Sequence, residues 1–461
     1  MHIHGWFFGL VALVLPIYGI PFSMPSREQH DAMENDIHAL LLNSGTLYKN
    51  LPKLQSFPTR DSLTVKPGEI PSYVTEYTPL VYLYSEERYL PYDISKYVTN
   101  FRPAWRNGTT IEILGKDAND PMYKNQQLHL KDLEHLPKSD NELVFLTALS
   151  DFDKDPAWIT GEMNKPNLYN GEIKDAPAVL IVADKGDGWV DAYWFYFYSF
   201  NLGPYVMGFG PFGDHIGDWE HSLVRFYKGD PVVIWMSAHG GGGAYFYDHM
   251  DKESLDSTGI AIGNGKQPVI FSARGTHANY PSTGQHNHDL PYSILSDFTD
   301  RGGLWNPAKN YLAYTYTPIY GDDSDEFHME VNYGNGSHPF RETQYGKWLL
   351  YDGAWGDPKL LPDEPRQRWS PFEWKYIDGP TGPLTKHLTR TSACQTVNWK
   401  NSHNGCNARR YIKYGEGLFD QEGNNNCGHI YTRFKNRWVR KLVEVVTWGG
   451  WTCAILDLLY G

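Results

Sequence analysis

The chain has 461 residues, enough for two or three domains of ordinary size or for one large β-rich body with insertions. A formal net charge of -13, with no Lys/Arg block beyond the short "RWVRK" at Arg437 to Lys441, argues against the basic face that a nucleic-acid partner needs. Aromatic residues make up 15% of a sequence without low-complexity tracts, which marks a globular protein and favours pleated, half-buried surfaces.

At the N-terminus an apolar run spans Trp6 to Leu15. It is short for a membrane span and suits the core of a signal peptide, with Ile17 and Gly19 placed for cleavage after Gly19. His2 and His4 precede it without Lys or Arg, so an uncleaved signal anchor is the alternative. Either form directs the chain into the secretory pathway and sets residues 1–19 apart. Next, Ser26 and Gln29 have capping-box spacing, and Ile37, Leu40 and Leu41 offer a partial apolar face, which predicts a short helix. A linker punctuated by Pro and Gly completes residues 20–72.

From Tyr73 the pattern becomes β-type and stays so through residue 383. Strands are predicted at Val179–Ala183, Ala192–Ser199, Ser222–Tyr227, Val232–Ser237, Val269–Ser272 and Leu312–Thr317, between clusters of Gly, Asp, Asn and Pro. "DAYWFYFYSF" is almost continuously apolar or aromatic, as expected of a strand buried on both faces. Long loops are predicted at Asn279–Leu304 and Pro318–Trp348; loops of such length are usually functional or packed on themselves. The fold class is therefore mainly β, a sandwich-like body with long loops behind a short N-terminal helix.

The last segment, 384–461, holds all four cysteines, Cys394, Cys406, Cys427 and Cys453. An even, clustered set in a secretory chain predicts two disulfides, in one of three pairings, stabilising a small C-terminal module. No C-x-x-C pair supports a zinc site there. The apolar end carries Glu444 and Asp457 and reads as a buried element, so no membrane span is expected beyond the possible signal anchor. Asn107 and Asn335 head N-x-Ser/Thr sequons that fit luminal glycosylation.

The densest chemistry lies in "GDHIGDWEHSLVRF", Gly213 to Phe226. In a strand starting near Asp218, alternation puts Asp218, Glu220 and Ser222 on one face and Trp219, His221 and Leu223 on the other. The two carboxylates then stand about 7 Å apart, a spacing that can bracket a metal or divide acid and base roles. A following strand ends at His239 before Gly240–Gly243, and "PVIFSARGTHANY" ends near His277, with His286, His288 and Asp289 in its loop. If these strands are neighbours, His215, His239 and His277 meet beside Asp218, a ligand set suited to zinc or manganese. The same convergence would make Asp218, Glu220 and His277 the catalytic groups of a hydrolase. The plainer alternative is polar groups that hydrogen-bond backbone at strand ends.

Other motifs fail on a named residue. "HGGGG" has no accompanying G-x-S-x-G elbow, and "GIAIGNGKQ" has Ile260 and Gln267 where a phosphate loop needs Gly and Ser/Thr. "DFDKDPAWITGE" spaces Asp151, Asp153, Asp155 and Glu162 like a calcium loop but places Pro156 at the glycine turn, which leaves only a looser calcium site. The acidic "GDDSDEF" reads as a solvated loop.

Three blocks, "FGDHIGDWEHSLVRF", "PVIFSARGTHANYPSTGQHNHDLPYSILSDFTDRGGLWNP" and "KWLLYDGAWGDPKL", follow "PLVYLYSEERYLPYDIS" in the chain. Together they resemble the vacuolar protein sorting-associated protein 62 family of fungi, which has plant relatives of unknown function. The resemblance covers roughly Tyr73 to Leu360 and leaves out the cysteine-bearing tail. It implies a role in delivering proteins to the vacuole, with cargo or sorting machinery as partners and a vacuolar, secretory or extracellular location. It transfers no catalytic residues. A luminal hydrolase using a divalent metal and a glycan-binding module using exposed aromatics are the rival readings.

Overall fold

A computed structural model describes residues 54, 58–113, 127–138, 142–161, 163–205, 210–256, 260–263, 265–287, 295–316, 346–370, 373–395, 408–409, 412 and 438. Outside them lie residues 1–19, the predicted helix with Ser26 and Gln29, Asn335, the "GDDSDEF" loop, Glu162, His288, Asp289, Cys406, Cys427 and Cys453.

The described chain opens with α1 (Ser72–Glu76), β1 (Leu80–Tyr82), α2 (Ile94–Val98), the antiparallel pair β2 (Phe101–Trp105) and β3 (Val144–Ala148), and α3 (Ala157–Thr160). A meander follows: β4 (Ala178–Gly186), β5 (Trp189–Asn201), β6 (His215–Tyr227), β7 (Asp230–Ala238) and β8 (Gly241–Phe246). Then come β9 (Lys252–Leu255), β10 (Ala261–Gly263), β11 (Gln267–Ser272), β12 (Asn279–Tyr280), β13 (Gly284–Asn287), β14 (Ser296–Thr299), β15 (Leu304–Trp305), β16 (Tyr311–Tyr316) and β17 (Ala408–Arg409). Among the described residues no helix is long and apolar enough to cross a membrane.

Turn chemistry explains the meander. Asp187–Gly188 joins β4 to β5 at φ 55° and 87°, and Lys228–Gly229 joins β6 to β7 at 51° and 89°. Two-residue turns with both φ positive match the twist of the flanking strands, and glycine tolerates the left-handed backbone. The central sheet has the order β16-β4-β5-β6-β7-β8-β17, antiparallel except where β16 and β17 join in parallel.

All 13 residues of β5 are buried, as its apolar sequence requires. Trp194, Tyr196 and Tyr198 pack with Val224 and Phe226 on a second sheet, ordered β10-β9-β11-β1-β15, through Val81, Ile270 and Trp305. The opposite face, with Phe195, Phe197, Trp219 and Trp235, packs on Tyr97, Phe101, Trp348, Trp355 and Leu388. The fold is therefore mainly β, with two sheets face to face and a third layer of short elements behind.

Two expectations need correction. The loop predicted at Asn279–Leu304 contains β12 and a β13–β14 ladder pairing Gly284 with Thr299 through to Asn287 with Ser296. Its residues are mostly polar, so the apolar alternation that marks a strand is missing. The tail does not separate cleanly at residue 384: Leu388 and Ala393 join the main core and β17 extends the central sheet beside β8. A buried ion group draws the tail in. Arg225 binds Asp191 through two hydrogen bonds of 2.7 and 2.8 Å, and Lys185 lies 3.9 Å from the same carboxylate, all with fully buried side chains. Lys185 also donates to the Leu388 carbonyl, and Arg225 donates to that of Thr391 at 2.6 Å. Buried donors need acceptors, and the tail backbone supplies them. Cys394 packs against the same core, partly buried.

Candidate functional site

The site arises where the central sheet splits. β6 pairs with β5 along its length, from Trp189 opposite Tyr227 to Asn201 opposite His215. Its pairing with β7 ends at Ser222 opposite Met236. Ser237 fills the first step of the gap: its hydroxyl accepts from the His221 backbone N–H at 2.8 Å and donates to the Glu220 carboxylate. Beyond Ser237 the strands part around a cleft of about 700 Å³. Side chains from both faces of β6 reach it: Asp218 and Glu220 from one, Trp219 and His221 from the other, with His215, His239 and Lys386 along the walls. Gly217 kinks the strand below, at φ 70°, where a side chain would meet the Trp355 carbonyl and the Tyr97 hydroxyl.

Asp218 is held from beneath. His277, itself at φ 55°, donates from Nδ1 to Asp218 at 2.9 Å and from Nε2 to the Tyr89 carbonyl at 3.0 Å. The ring lies flat on Tyr198 at 3.7 Å, and Glu87 stands 3.8 Å away. Burial alone would push this imidazole down, but the contacts with Asp218 and Glu87 outweigh it and hold it at about 9. Glu220 is pushed up by burial and by the charge of Asp218, against the opposing Ser237, Lys386 and His277. His221 is stacked on Phe195 at 4.7 Å and meets the tilted ring of Trp235 at 4.8 Å, and burial drives it well below its ordinary value. Neither of its ring nitrogens, nor the Trp219 indole N–H, has a hydrogen-bond partner among the described residues.

The expected meeting of His215, His239 and His277 at one ion does not occur in this geometry. His277 spends both nitrogens under Asp218. His215 uses Nδ1 on the Gly217 carbonyl at 2.7 Å, and burial lowers its imidazole. His239, in the β7–β8 turn at φ 53°, places Nε2 2.6 Å from Asp297, which also accepts from Tyr280 and Thr276. Divergence of β7 has carried His239 to the rim. Among the described residues no three His, Cys, Asp or Glu side chains form a group that could hold a metal ion. The calcium-like spacing is used differently: Arg366 binds Asp151 and Asp153 at 3.0 and 3.1 Å, and Arg88 binds Asp155 at 2.7 Å. Asn107 is exposed in a turn, accepting from the Thr109 N–H at 2.9 Å.

Reading the strand alternation separated Asp218 and Glu220 from His221 correctly by face, yet both faces open on one cleft. Ser237, Asp297 and Lys386 were missed. The "SAHGGGG" end of β7 hints at a strand breaking off, whereas nothing near Lys386 signals its place.

These features define a class, a two-sheet β protein with a polar cleft opened inside its central sheet. Residues 43–291 match the profile of the family described as vacuolar protein sorting-associated protein 62. The Saccharomyces cerevisiae protein of that name is 47% identical over 416 residues, spanning 87% of this chain and 85% of that protein. The chain belongs to the vacuolar protein sorting-associated protein 62 family. A second Saccharomyces cerevisiae protein, named TDA6 and provisionally associated with vacuolar protein sorting, is 46% identical over 411 residues, 85% of this chain and 83% of that protein. The similarity extends beyond the stretch from Tyr73 to Leu360. Among solved structures, the necrosis and ethylene inducing protein 2 from the agent of cocoa's witches' broom disease aligns at 13% identity. It covers 50% of this chain and 77% of that one at a TM-score of 0.21, a score from which no shared property follows.

Proposed function

We propose that this protein acts within the secretory pathway in delivering proteins to the vacuole. One observation carries the reading: 47% identity, over most of both chains, to a relative named for vacuolar protein sorting. A cleaved signal peptide, glycans on Asn107 and Asn335, and disulfides among Cys394, Cys406, Cys427 and Cys453 belong to the same reading. Peptide mapping of the secreted-pathway protein without reduction, before and after deglycosylation, tests them. The sorting role is tested in a deletion strain by following newly made vacuolar hydrolases. The expected result is secretion or unprocessed precursor, restored by the full chain; normal processing and delivery would overturn it.

A luminal hydrolase is the second reading, favoured by the unequal backing of two carboxylates on one strand face. Asp218 rests on an imidazolium, whereas Glu220 is buried beside a serine hydroxyl. Burial favours the protonated form of Glu220, which suits a general acid, and Asp218 stands on the same strand face as a candidate base. Glu220 would protonate the leaving group, Asp218 would take the proton of water, and His277 would position Asp218. Hydrolytic activity that survives both Glu220→Gln and His277→Ala would exclude this assignment, and elemental analysis for zinc, manganese and calcium tests for a metal.

A further inference from the structure

We infer that the cleft between β6 and β7 binds an uncharged, hydroxyl-rich group of the size of a hexopyranose ring. The inference stands apart from the sorting role and from any catalysis. Several polar atoms at the cleft lack hydrogen-bond partners among the described residues. His221 is 1% exposed and Trp219 2%, yet both rings line the cleft with unpartnered nitrogens. Gln395, on the tail wall, likewise has a buried Oε1 without a partner among the described residues. Buried polar atoms are normally hydrogen-bonded, so unpartnered ones gathered at a cavity mark the place of a ligand.

The missing ligand must meet donors and acceptors at once. The Trp219 indole only donates, the Gln395 oxygen only accepts, and the neutral His221 imidazole does one of each. A hydroxyl group both donates and accepts, which fits this mixture.

Charge selects against ions of either sign. A cation would face Lys386 on the wall and the His277 imidazolium behind Asp218. An anion would face Asp218, Glu220 and Glu373. The acidic groups are also fixed in advance, Asp218 by His277 and Glu220 by Ser237, so little ordering is needed on binding. Phe212, half-buried on the wall, adds apolar surface against which the C–H face of a sugar ring can lie. A volume of about 700 Å³ falls within the range of small-molecule sites.

The test uses the full chain purified from a secretory host. Glucose, mannose, galactose and myo-inositol are presented at on the order of 10 mM in ligand-observed NMR, a concentration suited to single-ring affinities. A glycoprotein, intact and enzymatically deglycosylated, forms the arm that separates a cargo glycan from a free sugar. The expected result is saturation transfer to at least one ring. The affinity should fall about tenfold in Trp219→Phe, which removes the indole N–H, and in Gln395→Met, which replaces the amide at similar length. Lys386→Met should leave it within about twofold, since a neutral ligand owes little to that charge. Gln395→Met covers the case in which Trp219→Phe fails to fold. No transfer to any ring and no glycan-dependent capture would overturn the inference. So would binding unchanged in both polar variants, or binding that disappears with Lys386, the signature of an anion site.

Discussion

His277 shows how one side chain can serve the site and the fold at once. Its ring is fully buried between Tyr198 and the carboxylates of Asp218 and Glu87, and its protonation is held at about 9. A histidine raised above its unfolded value of about 6.5 adds stability that is complete below about pH 6.5. That stability is lost as pH rises through about 9. The size of the shift corresponds to about 3 kcal/mol. His277→Phe keeps a ring on Tyr198 but leaves Asp218 without its cation. The variant should be less stable than the parent by about 3 kcal/mol near pH 6, with the gap closing toward pH 10. Urea denaturation across that range checks it; a gap of constant size would show that packing, not charge, is what His277 supplies.

At the scale of elements, the tail strand and the approach to it complete the central sheet chemically as well as sterically. Lys185, Asp191 and Arg225 sit on β4, β5 and β6 with fully buried side chains, and the outstanding donors end on the carbonyls of Leu388, Arg390 and Thr391. A chain ending at Pro383 would leave the donors that Asp191 does not take without acceptors or would have to open the sheet to water. The expected loss is about 3 kcal/mol or more. Arg390→Ala keeps the backbone acceptors and gives up only the stacking of its guanidinium over Tyr193 and Trp235, at 5.1 and 5.0 Å, together with its own bonds to backbone. Its loss should be clearly smaller, about 1 kcal/mol. Chemical denaturation of the two variants separates the cases, and a truncated chain as stable as the full one would refute the role given to the tail carbonyls.

For the whole molecule, what was legible in the sequence follows the range over which each cause acts. Alternation in "DWEHSL" placed Asp218 and Glu220 on one face and His221 on the other, because strand period is a local property. The turns at Asp187–Gly188 and Lys228–Gly229 are equally local. The cleft itself depends on β7 leaving β6 at Ser237, on Asp297 drawing His239 to the rim, and on the tail bringing Lys386 to the wall. None of these partners is close in sequence, and polar pairs such as His286 with Asp297 and Asn287 with Ser296 in the β13–β14 ladder carry no apolar pattern to announce them.

The same long-range burial gives the molecule a collective dependence on pH. Burial pushes Asp214 to about 7 and Asp357 to about 6, and raises Glu220 as well. Carboxyls raised in the folded state contribute stability that is complete below their unfolded value of about 4. It is lost as pH climbs through the folded values, in the direction His277 also follows through about 9. Three groups oppose this. Burial lowers Lys185 to about 7, so it favours the folded state as pH rises above that value. Burial also lowers His215 and His221, which penalise folding once pH drops below about 6.5. Between pH 8 and pH 5 the raised groups Asp214, Asp357, Glu220 and His277 act against Lys185, His215 and His221, and folding should be favoured at pH 5. Urea midpoints at the two values decide it: a higher midpoint at pH 5 is expected, and a higher midpoint at pH 8 would mean that the lowered lysine and histidines govern the fold.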